Sequence, residues 1–186
     1  MKQLSGMDNL FLAMENGHQR MHVGGLGIYD PSSAPGGKVR FKGVLEFFAG
    51  RLGKSKIFRR RLVMPPLGVD RPYWIDDPDI DLEYHVRHIA LPQPGDWRQL
   101  CILVARIHAR PLDLSMPAWE CYVIEGLNNI PGIPPGSFAF FIKMHHAAIE
   151  GEAGVELMKA IHSFTNTDDN AQSGGIIIAD RTPTTV

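Results

Sequence analysis

Phe138 to Gly154 reads FAFFIKMHHAAIEGEAG, and its first eight residues decide the architecture. Apolar side chains occupy both alternating faces of FAFFIKMH, so a strand here is covered on both sides and sits centrally in a sheet. The strand ends in a histidine pair, His145 and His146, and Glu150 and Gly151 then precede a helical pattern from Glu152 to Phe164 with Leu157, Met158 and Ile161 as its core stripe.

Working back from that strand, Trp119 to Ile124 reads as a second strand, joined to it by the long turn NNIPGIPPG. Trp97 to Ala109 places Leu100, Leu103, Val104 and Ile107 on one helical face, with Asp96 at the cap position. Tyr73-Trp74-Ile75 and His85 to Leu91 are short strands separated by an acidic stretch. Val39 to Lys54 repeats Phe41, Val44, Leu45 and Phe48 at helical spacing. His22 to Tyr29 (HVGGLGIY) is a strand, whose glycines mark room for another backbone. Residues 5 to 16 form a helix with Ser5 as cap, Gly17 as stop and Met7, Leu10, Phe11 and Met14 as its apolar stripe. Strands alternating with helices predict an α/β (α+β) fold, a mixed β-sheet flanked by helices.

The bulk properties bound the function classes. A chain of 186 residues with 44% hydrophobic and 21% charged residues builds one well-buried domain. A net charge of -1 supplies no domain-wide positive field for nucleic acid, so no nucleic-acid partner is expected. Cys101 and Cys121 both fall in segments that read as apolar core, which suggests no disulfide framework and fits a reducing cytoplasm. No apolar stretch approaches a membrane span, and the first residues lack a secretory pattern; peripheral attachment to a lipid surface needs neither. TNTDDNAQSGG has linker composition, and the run GGIIIADRTPTTV reads as a domain edge, so residues 1–166 are expected to form one lobe and 167–186 a linker or connection.

An imidazole at a strand terminus can take a proton from a hydroxyl or a thiol, a role worth roughly 10²–10⁴-fold in rate. Glu150 could orient that loop by pairing with an arginine or holding a histidine tautomer, and Gly151 permits the turn. A bare histidine pair at a strand end is nonetheless more often ordinary polar surface than catalytic machinery. Metal binding is disfavoured, because adjacent histidines on a strand face opposite ways and no third ligand stands at a recognisable spacing. His18, His22, His85 and His88 read as solvated or locally bonded. The basic run Arg51, Lys54, Lys56, Arg59, Arg60 and Arg61 reads first as a solvated face and second as a contact for CoA phosphates or anionic lipid, while Asp76, Asp77, Asp79, Asp81 and Glu83 are available to pair with it.

Met144 to Gly151 resembles the H-H-x-x-x-D-G motif of the wax ester synthase/diacylglycerol acyltransferase family, itself related to chloramphenicol acetyltransferase-like and condensation domains. LSGMDNLFLAMENGHQRMHVGGLGIYDP, the stretch RRRLVMPPLGVDRPYWIDDPDIDLEYHVRHIALPQPGDWRQL and ARPLDLSMPAWECYVIEGL are similar to the family's blocks in family order, so the resemblance runs over residues 4 to 164. Glu150 stands where the family has aspartate, and Ala118 in Pro117-Ala118-Trp119-Glu120 where it commonly has leucine.

The resemblance implies one lobe of a two-lobed, chloramphenicol acetyltransferase-like fold. It implies an acyl-CoA-dependent O-acyltransferase of wax ester or triacylglycerol synthesis, of bacterial type. In it His146 would deprotonate the hydroxyl of a long-chain alcohol or diacylglycerol, with His145, Glu150 and Gly151 as supports. No cofactor or metal is called for, acyl-CoA being a substrate. The implied partners are a carboxy-terminal lobe, in cis or trans, and a membrane or lipid-inclusion surface contacted from the cytoplasm. A non-catalytic lipid-binding or interaction module with the same lobe fold is the rival reading.

Overall fold

The computed structural model describes residues 1–149 and 153–163. Its main sheet has four strands in the order β2-β7-β6-β5: β2 (His22–Tyr29), β5 (Val86–Ala90), β6 (Trp119–Glu125) and β7 (Phe138–His145). β7 pairs antiparallel with β2 on one side and β6 on the other, so its backbone groups are satisfied from both edges. β5 runs parallel to β6, and the α-helix between them, α4 (Trp97–Ala109), is the crossover that a parallel pair requires. The sheet is therefore mixed, as the pattern predicts.

Pleat alternation sorts the core into two layers. Tyr122, Ile124, Ala139 and Phe141 face α4 through Leu100 and Ile107. Cys121, Ile142 and Met144 face the opposite way, against Phe48 of α2 (Phe41–Ala49) and Leu157, Ala160 and Ile161 of α5 (Ala153–Ile161). Met158 departs from the predicted stripe: it is exposed, on the outer side of α5. α4 begins with Asp96 accepting from the Gln99 N–H at 2.9 Å, while the Gln99 side chain accepts from the Gly95 N–H at 2.7 Å. This reciprocal cap stops the helix from fraying.

A second sheet, β1-β4-β3, joins β1 (Lys2–Gln3), β3 (Arg60–Val63) and β4 (Tyr73–Asp76), all antiparallel. β3 lies inside the stretch that reads as a basic run, and its register explains the run. Arg60 sits opposite Asp76, and Arg59, Arg60 and Arg61 approach Asp76 or Asp77 at 3.7–3.9 Å. Arg51 is buried, donating to the Ala160 carbonyl and the Ser163 hydroxyl at 2.8 Å and so holding α2 to the end of α5. The predicted solvated basic face is thus replaced by pairing with Asp76 and Asp77, two of the expected acidic residues, at Arg59, Arg60 and Arg61, and by bonds to Ala160 and Ser163 at Arg51.

Four further expectations are corrected. Cys101 is exposed on α4 and only Cys121 is buried, because position 101 falls on the outer side of the helix. His85 closes a short helix, α3 (Leu82–His85), instead of opening β5, and is fully buried, its Nδ1 2.8 Å from the Trp119 carbonyl and its ring stacked on the Trp119 indole. The glycines of β2 make room for rings and not for backbone: a side chain at Gly24 would press on Phe141 and His108, and one at Gly27 on Tyr29. The helix α1 (Gly6–Met14) carries the Ser5 cap, but Met7, Leu10 and Met14 are 64%, 48% and 44% exposed. The stripe points outward, and only Phe11 and Leu12 pack on the small core around Leu4, Trp74 and Ala147.

Candidate active site

β7 delivers His145 and His146 to one end of the sheet, where the chain turns through a single 3₁₀ turn, His146–Ala148. His145 is fully buried. Its Nδ1 accepts the Ala147 backbone N–H at 3.1 Å, so the ring proton must sit on Nε2, and that nitrogen lies 2.6 Å from the Glu15 carboxylate. Burial holds the His145 pKa below the ordinary histidine value, with the Glu15 contact opposing it. Both nitrogens of a neutral ring are thereby used, and His145 serves to shape the turn.

His146 is placed differently. Its backbone N–H donates to the Met21 carbonyl at 2.7 Å, and its half-buried ring stacks on Phe11 with centroids 3.8 Å apart and planes 24° from parallel. His146 Nδ1 is buried with no hydrogen-bond partner among the described residues. A ring clamped by its backbone and one face, with one nitrogen sealed, presents the other edge for proton transfer.

The supports come from the segment joining α1 to β2. Phe11 and Glu15 are one helical turn apart and address His146 and His145 respectively. After Glu15 the chain reverses on Asn16, whose side-chain oxygen accepts from the His18 and Gln19 N–H groups, and returns as β2 with His22 opposite His145. The sequence leaves His22 as solvated or locally bonded; it is not solvated, and its contacts lie on other elements. Its side chain is fully buried, Nδ1 lies 3.3 Å from the His108 carbonyl, and Nε2 is 3.6 Å from Glu15 Oε1. That last separation is an electrostatic contact beyond hydrogen-bond length, and burial dominates to lower the His22 pKa. Arg20 approaches the same Glu15 oxygen at 3.6 Å.

Two residues before His145 on the same face, Lys143 is fully buried. Its Nζ donates to the Ile107 and Arg110 carbonyls, each at 3.0 Å, and lies 3.3 Å from Glu120. The C-terminal end of α4 is thus capped by sheet residues Lys143 and His22, whose hydrogen bonds suit the negative end of the helix dipole. Toward the far end of β7, Tyr29, Val44, Phe47, Phe138, Phe140 and Ile161 are among the residues lining an apolar cavity of about 270 Å³. At about 3.4 Å of rise per residue, Phe140 is roughly 20 Å along the strand from His146.

Sequence reasoning finds the histidine pair and misses Glu15 and the role of His22. The available signal is a charged residue ending an otherwise apolar helix, and it has meaning only once β2 is laid against β7. Glu150 and Gly151 lie outside the described residues. Among the described residues no group of histidine, cysteine or acidic side chains is arranged to hold a metal ion.

The family model of the wax ester synthase/diacylglycerol acyltransferase catalytic domain matches residues 4–182. The chain belongs to this family. A Mycobacterium tuberculosis protein of the family, tgs3, named as a diacylglycerol O-acyltransferase, is 37% identical over 180 residues, covering 97% of the chain and 57% of that protein. A second from the same species, tgs2, is 39% identical over 153 residues, covering 81% of the chain and 32% of that protein. The wax ester synthase/diacylglycerol acyltransferase of Marinobacter aquaeolei VT8 superposes with a TM-score of 0.65 at 32% identity, over 86% of the chain and 36% of that structure. The starter condensation domain of rhizomide synthetase RzmA shares the fold, with a TM-score of 0.60 at 12% identity over 86% of the chain and 36% of that structure. The chain spans about a third of the length of most of these wax ester synthase/diacylglycerol acyltransferase relatives.

Proposed function

We propose that the chain is the base-bearing lobe of an acyl-CoA-dependent O-acyltransferase acting on a long-chain alcohol or diacylglycerol, with His146 as general base. The observation that carries this reading is the His146 ring, fixed by Met21 and Phe11 beside a neutral, fully bonded His145. Family membership supplies the substrate classes.

In the proposed step the acceptor hydroxyl passes its proton to His146 at Nε2, because Nδ1 is sealed by burial. The oxygen attacks the thioester carbonyl carbon, and collapse of the tetrahedral adduct breaks the C–S bond. The imidazolium returns its proton to the departing CoA thiolate. Atoms and charge balance without cofactor or metal, and His145 keeps the turn in place throughout.

Reacting groups must also be positioned and shielded from water, which can contribute as much as the base itself. A carboxy-terminal lobe is the proposed second wall. The exposed Met7, Leu10 and Met14 of α1, on the helix whose Phe11 touches His146, form the apolar stripe that such a lobe would cover. Among the described residues no helix is long and apolar enough to cross a membrane, and contact with lipid is proposed to be peripheral, from the cytoplasm.

The test is transfer from palmitoyl-CoA to hexadecanol or diacylglycerol by the lobe joined to its partner. His146→Ala is expected to lower kcat by roughly 10²-fold or more, and the 186-residue chain alone to transfer little. Activity that survives His146→Ala removes the proposed role, and a folded two-lobed protein inactive on every acyl-CoA and alcohol pair favours the non-catalytic lipid-binding module.

A further inference from the structure

Glu15 lies 130 residues from His145 in sequence yet makes the shortest polar contact of the site, 2.6 Å to His145 Nε2. The contact has a chemical direction. Because the Ala147 N–H already donates to Nδ1, the ring can meet Glu15 only as an Nε2–H donor. The opposite tautomer would place a ring N–H against the Ala147 N–H and a lone pair against a carboxylate, and both contacts would become repulsive. A doubly protonated ring would keep the Glu15 contact and lose the Ala147 hydrogen bond. Ala147 thus sets the proton on Nε2, and Glu15 accepts that proton's hydrogen bond, anchoring the ring that holds the 146–148 turn.

The rest of the segment acts on the same turn. Arg20 and His22 approach the second Glu15 oxygen at 3.6 Å each, which fixes the carboxylate between α1 and β2. Met21, between those two residues, accepts the His146 backbone N–H, and Phe11, one helical turn before Glu15, carries the His146 ring. One short stretch, residues 11 to 22, thus controls both histidines, one through its Nε2–H and the other through its backbone and ring face.

We propose that Glu15 is a positioning residue of the acyl-transfer site, acting through His145 to hold the turn that aims His146. The proposal rests on the general-base reading of His146 for its effect on turnover, but its effect on the His145 Nε2–H hydrogen bond stands independently. The hydrogen bonds and ion pairs of the Glu15 side chain go to His145, Arg20 and His22, and none goes to His146 among the described residues. Hydrogen-bonding partners of this supporting kind change activity by about 10–100-fold when removed from metal-bound histidines, and a similar size is expected here.

Glu15→Ala and Glu15→Gln in the intact protein separate this role from a merely structural one. The alanine variant is expected to lower kcat by about 10–100-fold with KM little changed. The glutamine variant, whose amide oxygen still accepts from Nε2–H, should recover most of the loss. With ¹⁵N-labelled histidine, the His145 Nε2–H should be shifted downfield and slow to exchange in the parent and in Glu15→Gln, and lose both features in Glu15→Ala, the tautomer itself staying set by Ala147. His146→Ala is measured alongside. If His146→Ala is inactive while Glu15→Ala keeps full kcat, the positioning role is wrong and the base assignment stands. If His146→Ala stays active, the base assignment falls, and the Nε2–H signal alone decides on Glu15. A His145 Nε2–H that stays downfield-shifted and slow to exchange in Glu15→Ala overturns the proposal whatever the turnover.

Discussion

Replacing Lys143 by methionine removes a charge from the interior while keeping length and apolar volume. Lys143 Nζ is fully buried between Glu120, 6% exposed and 3.3 Å away, and the Ile107 and Arg110 carbonyls. Burial pushes the lysine pKa down and Glu120 pulls it back up, so the pair is mutually dependent. In Lys143→Met, Glu120 keeps the Tyr122 hydroxyl at 2.6 Å and Arg87 at 3.9 Å but loses its nearest cation. Stranding one member of a buried pair costs about 3–5 kcal/mol. The Ile107 carbonyl, which belongs to a buried residue, loses its donor for roughly 1 kcal/mol more, whereas Arg110 is exposed and water can replace the lysine there. The expected loss of about 4–6 kcal/mol is a large share of a typical total of about 5–15 kcal/mol. Urea unfolding followed by circular dichroism should show the midpoint falling with the slope unchanged. Removing the stranded carboxylate as well, in Lys143→Met/Glu120→Leu, should return at least half of the loss, since apolar replacement of a buried pair is often neutral. A single variant costing under about 1 kcal/mol, or a double variant worse than the sum of the singles, would refute the reasoning.

Acid should destabilise the fold below pH 6.5. Burial holds the pKa values of His22, His85 and His145 below the ordinary histidine value of 6.5, so the unfolded chain takes up protons that the native rings refuse. Their contribution is present above pH 6.5 and declines as pH falls from there toward the native values, with a slope of at most about 4 kcal/mol per pH unit for the three together. Thermal unfolding between pH 7.5 and 5 checks this, and a melting temperature that holds or rises toward pH 5 contradicts it. Gly95→Ala should lower stability by at least about 3 kcal/mol, or roughly 6–12 °C in Tm. Gly95 has φ of +72° and an added Cβ would run into the carbonyl oxygen of Gly126. A shift under about 2 °C in differential scanning fluorimetry would show that the loop yields.

The amino-acid sequence by itself determined the elements whose signals are local. β2 and β7 occupy the predicted residues His22–Tyr29 and Phe138–His145, and α4 runs from Trp97 to Ala109 behind its Asp96 cap. Each of these depends on neighbours within a few residues: alternating or periodic apolar side chains, and a cap that bonds three positions on. The histidine pair was legible for the same reason, as a polar terminus on an apolar strand. Only the tertiary structure decided which way the stripe of α1 faces, that Arg59, Arg60 and Arg61 spend their charge on Asp76 and Asp77, and that Glu15 reaches His145. These depend on strand order and register, which bring residue 15 beside residue 145 and residue 60 opposite residue 76. A helical period states that a stripe exists, but the layer that covers it is chosen when the sheet closes. A carboxylate likewise acquires its partner only where the fold leaves a buried donor within reach.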